Sequence, residues 1–118
     1  MAHFTIGATY GPTDPTRAML PFIFAASALQ DGDSVTLMLF HDAVSMGVKG
    51  LADEIVPFGP PQRFNEVVEN DNLDLIVCKP CALSRRITPE MLHPQVRVGG
   101  MNDFYNAAKR PDAKVVNF

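Results

Sequence analysis

Short apolar runs alternate with segments of helical character along the whole chain. The first run alternates apolar and polar positions, as at Phe4, Ile6 and Ala8, whereas the second and third are almost continuously apolar. Continuously apolar strands separated by helices favour a parallel sheet that is covered on both faces. We therefore predict an α/β fold in one domain spanning residues 1–118. The predicted strands are residues 3–10, 35–40, 73–78, 96–98 and 114–118.

The first helix has the clearest predicted boundaries. Asp14 is a suitable cap, Pro15 suits the first helical position, and an apolar segment follows over residues 18–29. Pro21 lies inside this segment, so we expect a kink or loosened first turns. Asp31-Gly32-Asp33 predicts the end of the helix. Further helical pieces are predicted at residues 42–46, 62–69, 88–92 and 101–109, and Pro57, Pro60 and Pro61 punctuate a loop.

Charge and length exclude several classes of protein. The net charge is −3 and no basic stripe is present, which argues against direct binding to nucleic acid. Residues 18–29 form the longest nearly apolar stretch, and a membrane span needs about 20 such residues. The amino terminus has no basic region followed by a hydrophobic segment. We therefore predict a cytoplasmic protein that does not cross a membrane, in which cysteines are more often free, catalytic or metal-bound than paired.

The predicted topology brings several polar side chains to one edge of the sheet. In open parallel sheets, ligands bind at the carboxyl ends of the strands. Three strand ends carry residues with chemistry, and we predict that they converge there. The first strand delivers Tyr10, Thr13 and Asp14, the second delivers His41 and Asp42, and the third delivers Cys78-Lys79-Pro80-Cys81.

Cys78 and Cys81 are the only cysteines of the chain, and they close an apolar run. A cysteine is nucleophilic as the thiolate, and helix amino termini and nearby cations lower its free pKa of about 8.5. If a helix begins near Pro80, we expect a lowered pKa for Cys78, and the same place would stabilise a persulfide anion. Lys79, Arg85 and Arg86 add positive charge nearby. The alternative interpretation is that both cysteines are small apolar core residues.

Metal binding is a further alternative. One Cys-x-x-Cys supplies two ligands, and a closed zinc site needs four. His3 is expected at the opposite end of the sheet, and His41 near the thiols would complete only three ligands. His41 could instead accept a proton from a thiol or serve a structural role, and Asp42 is most simply a helix cap. The chain has no glycine-rich phosphate loop. We predict neither a metal nor another cofactor.

Several segments together resemble the DsrE/DsrF-like family, in the right order and over essentially the whole length. No single motif is diagnostic, but the combination is fairly specific. The matching segments are Gly11-Pro12-Thr13-Asp14-Pro15-Thr16-Arg17-Ala18 with Leu20-Pro21-Phe22, His41-Asp42-Ala43-Val44 with Gly47, Val77-Cys78-Lys79-Pro80-Cys81 with Arg85 and Ile87, and Lys114-Val115-Val116-Asn117-Phe118.

The resemblance implies a three-layer α/β/α fold with a five-stranded parallel sheet, assembled as trimers or hexamers. It also implies a persulfide on Cys78, received from a sulfur donor and passed to a small carrier such as a TusA-like protein. Cys81 matches a position that is cysteine in the YchN-like branch of the family but not in TusD-like subunits. Members commonly have Arg-Gly where this chain has Arg85-Arg86, and members without the reactive cysteine are scaffolding subunits.

Three functional hypotheses follow. The first is a sulfur relay in which Cys78 carries sulfane sulfur, Arg85 and Arg86 stabilise the anion, and His41 assists proton movement. The second is thiol–disulfide exchange between Cys78 and Cys81. The third is a non-catalytic assembly subunit, in which aromatic residues serve the core or an interface. These aromatic residues are Phe22, Phe24, Phe58, Phe64 and Phe104.

Overall fold

A computed structural model describes residues 1–55, 59–61 and 63–118. The strands are β1 (His3–Ala8), β2 (Ser34–Leu39), β3 (Leu73–Cys78), β4 (Val96–Gly99) and β5 (Ala113–Asn117). The α-helices are α1 (Pro15–Gln30), α2 (Phe64–Val68), α3 (Lys79–Ser84) and α4 (Met101–Ala108). The predictions for Pro57, Phe58 and Gln62 lie outside the described residues.

The five strands form one sheet in the order β4-β3-β2-β1-β5, and every neighbouring pair is parallel. The predicted parallel sheet is thus confirmed. The first strand is shorter than predicted and ends at Ala8 rather than at residue 10. The chain turns soon afterwards, because the Asp14 amide donates to the Gly11 carbonyl at 3.0 Å and closes the loop that leads into α1.

Helices cover both faces of the sheet, which gives the expected three layers. Phe4 of β1 packs edge-on against Phe24 of α1, with ring centroids 5.2 Å apart. Gly7 points to the opposite face, where an added Cβ would lie 3.3 Å from the ring of Phe104 in α4. Because side chains alternate along a strand, α1 and α4 lie on opposite faces of the sheet.

Helix α1 begins and ends where the sequence predicts, but not by the predicted cap. Asp14 occupies the N-cap position without a side-chain cap hydrogen bond, since its carboxylate contacts Arg17 at 3.4 Å instead. The helix continues through the buried Pro21. It ends because Gly32 adopts a φ of +88°, which lets the Gly32 and Asp33 amides donate back to the last turn.

Two of the predicted helical pieces are 3₁₀ helices, at His41–Gly47 and Pro89–Met91. Both are short connections, where the tighter 3₁₀ turn is common. An added Cβ on Gly47 would lie 3.0 Å from Val77, so the first segment packs closely on β3. Close packing over a short connection explains why a regular α-helix does not form there.

The core lies around the three central strands. Phe22 is fully buried, whereas Phe24, Phe64 and Phe104 are partly buried and pack against the core, so core is the right assignment for these four. The edge strands β4 and β5 have no buried residue. The carboxyl ends of β2 and β3 therefore extend from the most closely packed part of the fold. The largest fully buried apolar side chains on β1, β2 and β3 are Ile6, Val35, Leu37, Met38, Leu39, Ile76 and Val77.

Candidate functional site

Cys78 ends β3 and occupies the N-cap position of α3. Only 9% of its surface is exposed. Burial raises the pKa of this thiol above its ordinary value, and the neighbouring Cys81 side chain acts in the same direction. The Cys81 backbone amide acts in the opposite direction without reversing the shift. The expected lowering of the Cys78 pKa is therefore wrong for this structure.

The start of α3 explains this difference. Pro80 has no amide N–H, so one of the donors expected at a helix amino terminus is missing. The Cys81 amide favours the Cys78 thiolate, but the contact does not meet the geometry of an N-cap hydrogen bond. The helix is also only six residues long. These donors do not offset the cost of taking the thiolate out of water.

Cys81 lies one turn further along and is half-buried. Its Sγ accepts a hydrogen bond from the main-chain N–H of His41 at 3.2 Å. His41 follows β2, so the carboxyl ends of β2 and β3 do converge, as the topology predicts. His41 adopts a φ of +53°, a left-handed conformation that is uncommon for a residue with a side chain. Both cysteines are free.

Arg85 joins the two loops. Its Nε and Nη2 donate to the same carboxylate oxygen of Asp42 at 3.0 and 2.8 Å, and its Nη1 donates to the Cys81 carbonyl at 3.1 Å. Nη2 also lies 3.2 Å from Nδ1 of His41. Because a guanidinium only donates, Nδ1 is the acceptor in this contact. Arg85 thus connects His41, Asp42 and Cys81.

Asp42 has a different role from the expected helix cap. It lies inside the 3₁₀ helix rather than at its N-cap position, which belongs to Phe40. The hydrogen bonds from Arg85 hold the pKa of its carboxyl below the ordinary value. A carboxylate at this place neutralises much of the Arg85 charge. Arg85 therefore acts as a structural link more than as a free cation beside the thiols.

Arg86 and Lys79 are both exposed. Arg86 adopts a φ of +57°, the region that glycine enters at least cost. This backbone conformation explains why Arg-Gly suits the same place in the family that the sequence resembles. Lys79 is the first residue of α3 and lines an apolar groove on the surface of that helix.

Two of the three residues predicted after β1, Tyr10 and Asp14, are linked through Arg17 at the start of α1. The Arg17 guanidinium lies 4.9 Å from the centre of the Tyr10 ring and contacts Asp14. Thr13 is exposed. Among the described residues, none of the three predicted side chains has a hydrogen bond to either cysteine.

Gly11 makes the close contact that joins this loop to the site. An added Cβ would lie 2.4 Å from the Asp42 main-chain carbonyl oxygen, so only glycine fits without a shift of the backbone. Sequence reasoning valued this loop for its hydroxyl and carboxyl groups and did not predict the contact of Gly11 with Asp42. The Gly11-Pro12 pair next to a strand end was the available signal.

The apolar groove beside α3 has a volume of about 380 Å³. Leu83, on its wall, is 64% exposed. The groove therefore places exposed apolar surface along α3, the helix on whose first turn Cys81 lies. Its lining consists of Lys79, Ala82, Leu83, Ile87, Pro89, Leu92 and Val98.

A larger cavity of about 570 Å³ lies at the opposite end of the sheet, between Phe4 of β1 and the end of α1. Its polar groups are the side chains of Ser27, Gln30, Asp31 and Asp33. No cysteine or histidine lines it, so we place the candidate site at the thiol edge despite the difference in volume.

The histidines lie apart from one another. His3 is buried at the amino end of β1, where its ring nitrogens contact Ser34 Oγ at 2.7 Å and Thr36 Oγ1 at 2.9 Å. His93 accepts a hydrogen bond from the Gln95 amide. Within residues 1–55, 59–61 and 63–118, no group of three or more His, Cys, Asp or Glu side chains is arranged to hold a metal ion. No helix in this part of the chain has the length and apolar character to cross a membrane.

Known proteins resemble this chain over almost its whole length. The model of the DsrE/DsrF-like family matches residues 2–118. An uncharacterized protein of Methanopyrus kandleri is 28% identical over 111 residues, covering 92% of this chain and 88% of that protein. "Putative sulfurtransferase DsrE" of Allochromatium vinosum is 26% identical over 132 residues, covering 96% of each chain.

The crystal structure of the YchN protein from E. coli has the same fold. Its TM-score is 0.76 at 21% sequence identity, and the match covers 100% of both chains. This likeness supports the α/β architecture with its five-stranded parallel sheet. With a family match over nearly its whole length, the chain belongs to the DsrE/DsrF-like family.

Proposed function

We propose that this protein is a sulfur-relay protein that carries sulfane sulfur as a persulfide on Cys78. The observation that carries the proposal is the placement of two free thiols, three residues apart, where β3 ends and α3 begins at the carboxyl edge of the sheet. Family membership and the name of the Allochromatium relative support the same chemistry. The proposal assigns sulfurtransferase activity and requires no metal or cofactor.

The burial of Cys78 suits the holding of a persulfide. A terminal persulfide sulfur is lost to any thiol that reaches it, so a nearly enclosed position lengthens its lifetime. The contact from the Cys81 amide favours a negative charge there. Release to an acceptor then requires an incoming thiol at the mouth of the site, which is formed by α3 and the loop after β2.

The neighbouring side chains receive the following roles in this proposal. The exposed ring of His41 assists proton movement. Arg85 connects that ring to α3 through its bond to the Cys81 carbonyl. Lys79 and Arg86 present positive charge to an approaching anionic partner. Tyr10, Thr13, Asp14 and Asp42 form the rim of the site.

The proposed partners are proteins. A persulfide-bearing donor would load the site, and a small TusA-like carrier would accept the sulfur. We also propose a homotrimer, or a hexamer of two trimers, in the cytoplasm. Several exposed apolar side chains are suited to burial in such an assembly, and they include Leu83, Met101, Tyr105 and Val115.

The proposal is tested by mass. Wild type, Cys78→Ser and the double variant Cys78→Ser/Cys81→Ser are incubated with polysulfide, desalted and weighed intact. We expect wild type to retain one added sulfur through a brief glutathione treatment, and the double variant to gain none. Any sulfur on Cys78→Ser sits on the more exposed Cys81, and the same glutathione treatment should remove it. Full survival of the sulfur in Cys78→Ser under that treatment would refute the assignment of Cys78.

A second candidate function is thiol–disulfide exchange, which the three-residue spacing of two free thiols at the start of α3 favours. It predicts loss of two hydrogen atoms on mild oxidation and a defined reduction potential against glutathione. Failure to form a reversible Cys78–Cys81 disulfide would exclude it.

The third candidate, an assembly subunit without chemistry, is favoured only by the burial of Cys78. It predicts that both thiols of the native protein resist alkylation. Rapid alkylation of either cysteine would exclude it.

A further inference from the structure

The two cysteines differ in access to solvent and in what fixes them. Cys78 is nearly enclosed at the end of β3, whereas Cys81 is half-buried on the first turn of α3. Cys78 at the N-cap and Cys81 three residues later are nevertheless neighbours on the first turn of α3. A thiol of a second molecule therefore meets Cys81 more readily than Cys78.

The Cys81 sulfur also accepts a hydrogen bond from His41, in the segment that follows β2. The His41 main-chain N–H points at Cys81 Sγ over 3.2 Å. A backbone N–H in this position holds the sulfur in place and favours negative charge on it. Cys81 Sγ carries such charge as the thiolate before it attacks a donor, and again when it leaves as a thiolate in the transfer of sulfur to Cys78.

Several contacts hold this donor in place at a cost. The left-handed backbone of His41 costs of the order of 1 kcal/mol or more, so surrounding contacts must maintain it. Arg85 ties Asp42 to the Cys81 carbonyl, and Gly11 packs directly against the main chain of Asp42. These contacts come from three different strand ends. Together they keep the His41 amide aligned with Cys81 Sγ.

We propose that Cys81 is the thiol that receives sulfur from the donor and passes it inward to Cys78. The inference rests on the proposed relay function and adds the order of the two thiols. Arg85 is then a positioning residue, because it acts through the His41 amide and the Cys81 main chain.

The chemistry needs no outside oxidant or reductant. The Cys81 thiolate attacks the terminal sulfur of the donor persulfide R–S–SH, the donor S–S bond breaks, and RS⁻ leaves. Cys78 gives its proton to this departing thiolate. The Cys78 thiolate then attacks the terminal sulfur of Cys81–S–SH. The bond between that sulfur and Cys81 breaks, Cys78 becomes Cys78–S–SH, and Cys81 returns to its thiolate.

The experiment follows sulfur on each cysteine over time. Wild type, Cys81→Ser and Cys81→Ala are mixed with glutathione persulfide, quenched at intervals with an alkylating reagent and digested. Fragmentation of the peptide that contains both positions assigns the added sulfur to Cys78 or Cys81. Near-ultraviolet circular dichroism of each variant establishes that it is folded.

We expect sulfur on wild-type Cys81 to appear first and to decline as sulfur on Cys78 rises. Both Cys81 variants should load Cys78 about tenfold more slowly or worse, since the exposed nucleophile is gone. Loading of Cys78 at the wild-type rate in folded Cys81 variants would overturn the inference and leave the relay function standing. No sulfur on either cysteine of wild type would overturn both.

Arg85 supplies a second test with a matched control. Arg85→Met should slow the appearance of sulfur on Cys81, and Arg85→Lys should restore part of the rate. Arg97→Met is the control, because Arg97 makes a similar two-bond contact, with Asp74, away from the thiols. Equal rates for Arg85→Met and Arg97→Met would contradict the positioning role.

Discussion

The two ends of the sheet each carry a histidine, and the chain uses them in opposite ways. At the amino end, His3 is 3% exposed and both ring nitrogens contact hydroxyls, those of Ser34 and Thr36. At the carboxyl end, the His41 ring is largely exposed, and its main-chain amide contacts the thiol of Cys81. The ring nitrogens of His3 are satisfied by hydroxyls inside the protein, whereas His41 presents its ring to solvent.

The difference follows from position on a parallel sheet. The amino ends of β1 and β2 are joined to their neighbours by close backbone contacts, so polar groups there must be satisfied internally. At the carboxyl ends the chain leaves the sheet in loops, which can hold strained backbone and reactive groups. We therefore expect substitutions at the amino end to change stability and substitutions at the carboxyl end to change chemistry.

The largest expected effect is at Cys78. Cys78→Ser should abolish the sulfur that survives glutathione treatment in wild type. It should lower the free energy of unfolding by about 1–2 kcal/mol, because serine nearly matches the size of cysteine but buries a hydroxyl. The measurements are intact mass after loading and urea unfolding of the same preparation. A variant that unfolds much more readily would mean that the cysteine is chiefly a core residue.

His3→Ala is the counterpart at the amino end. Removing the ring leaves a cavity and deprives two hydroxyls of partners, so we expect a loss of about 2–4 kcal/mol in the free energy of unfolding. Sulfur loading per folded molecule should stay at the wild-type level. A loading defect in the folded fraction would show that the two ends are coupled, contrary to the comparison.

Removal of the Arg85 guanidinium should have an intermediate effect. In Arg85→Met we expect alkylation of Cys81 by iodoacetamide to slow by about threefold to tenfold. The reason is that the His41 amide, which favours the Cys81 thiolate, loses the hydrogen bonds that position it. Site-resolved mass spectrometry of the alkylated peptide gives the rate. The same rate in Arg85→Met and wild type would indicate that the His41 amide keeps its place without Arg85.

Acidification should weaken the amino end through His3. Burial lowers the pKa of His3, so the unfolded chain binds a proton at about pH 6.5 while the folded protein does not. The free energy of unfolding should therefore fall as the pH decreases from 7 toward the lowered folded pKa. Urea unfolding at several pH values measures it, with His3→Gln as the control. An equal slope in the control would assign the effect to other groups.

The smallest expected effect is at Arg86. Arg86→Gly should raise the free energy of unfolding by about 0.5–1 kcal/mol, because the left-handed backbone there costs a residue with a Cβ more than it costs glycine. Thermal unfolding of both proteins tests this. A destabilised variant would mean that the Arg86 side chain makes a favourable contact at the site.

Much of the fold could be predicted because the signals are local. The apolar run that ends at Cys78 gave β3 with its observed bounds, and Asp31-Gly32-Asp33 marked the end of α1. The end of β1 was placed two residues too late because Thr9 and Tyr10 continue a strand-like pattern. The connections after β2 and before β4 are 3₁₀ helices, and their tight packing depends on contacts far along the chain.

The candidate site was predicted as a set of residues but not as an arrangement. Strand ends placed His41 and Cys81 at one edge, which the structure confirms. The contact of Arg85 with Asp42 spans 43 positions, and no local pattern announces it. The raised pKa of Cys78 also depends on burial in the folded state, whereas the sequence shows only the neighbouring cations.

The most direct test of sulfur carriage is transfer from the loaded protein to an acceptor. Wild type is loaded with persulfide, freed of excess donor and mixed with a small thiol protein, and the intact mass of both chains is followed. The account predicts that one sulfur leaves this protein and appears on the acceptor, and that Cys78→Ser, cleared of sulfur on Cys81 by the same brief glutathione treatment, transfers none. A wild-type protein that never gains sulfur, or a Cys78→Ser variant that transfers it equally well, would contradict the account.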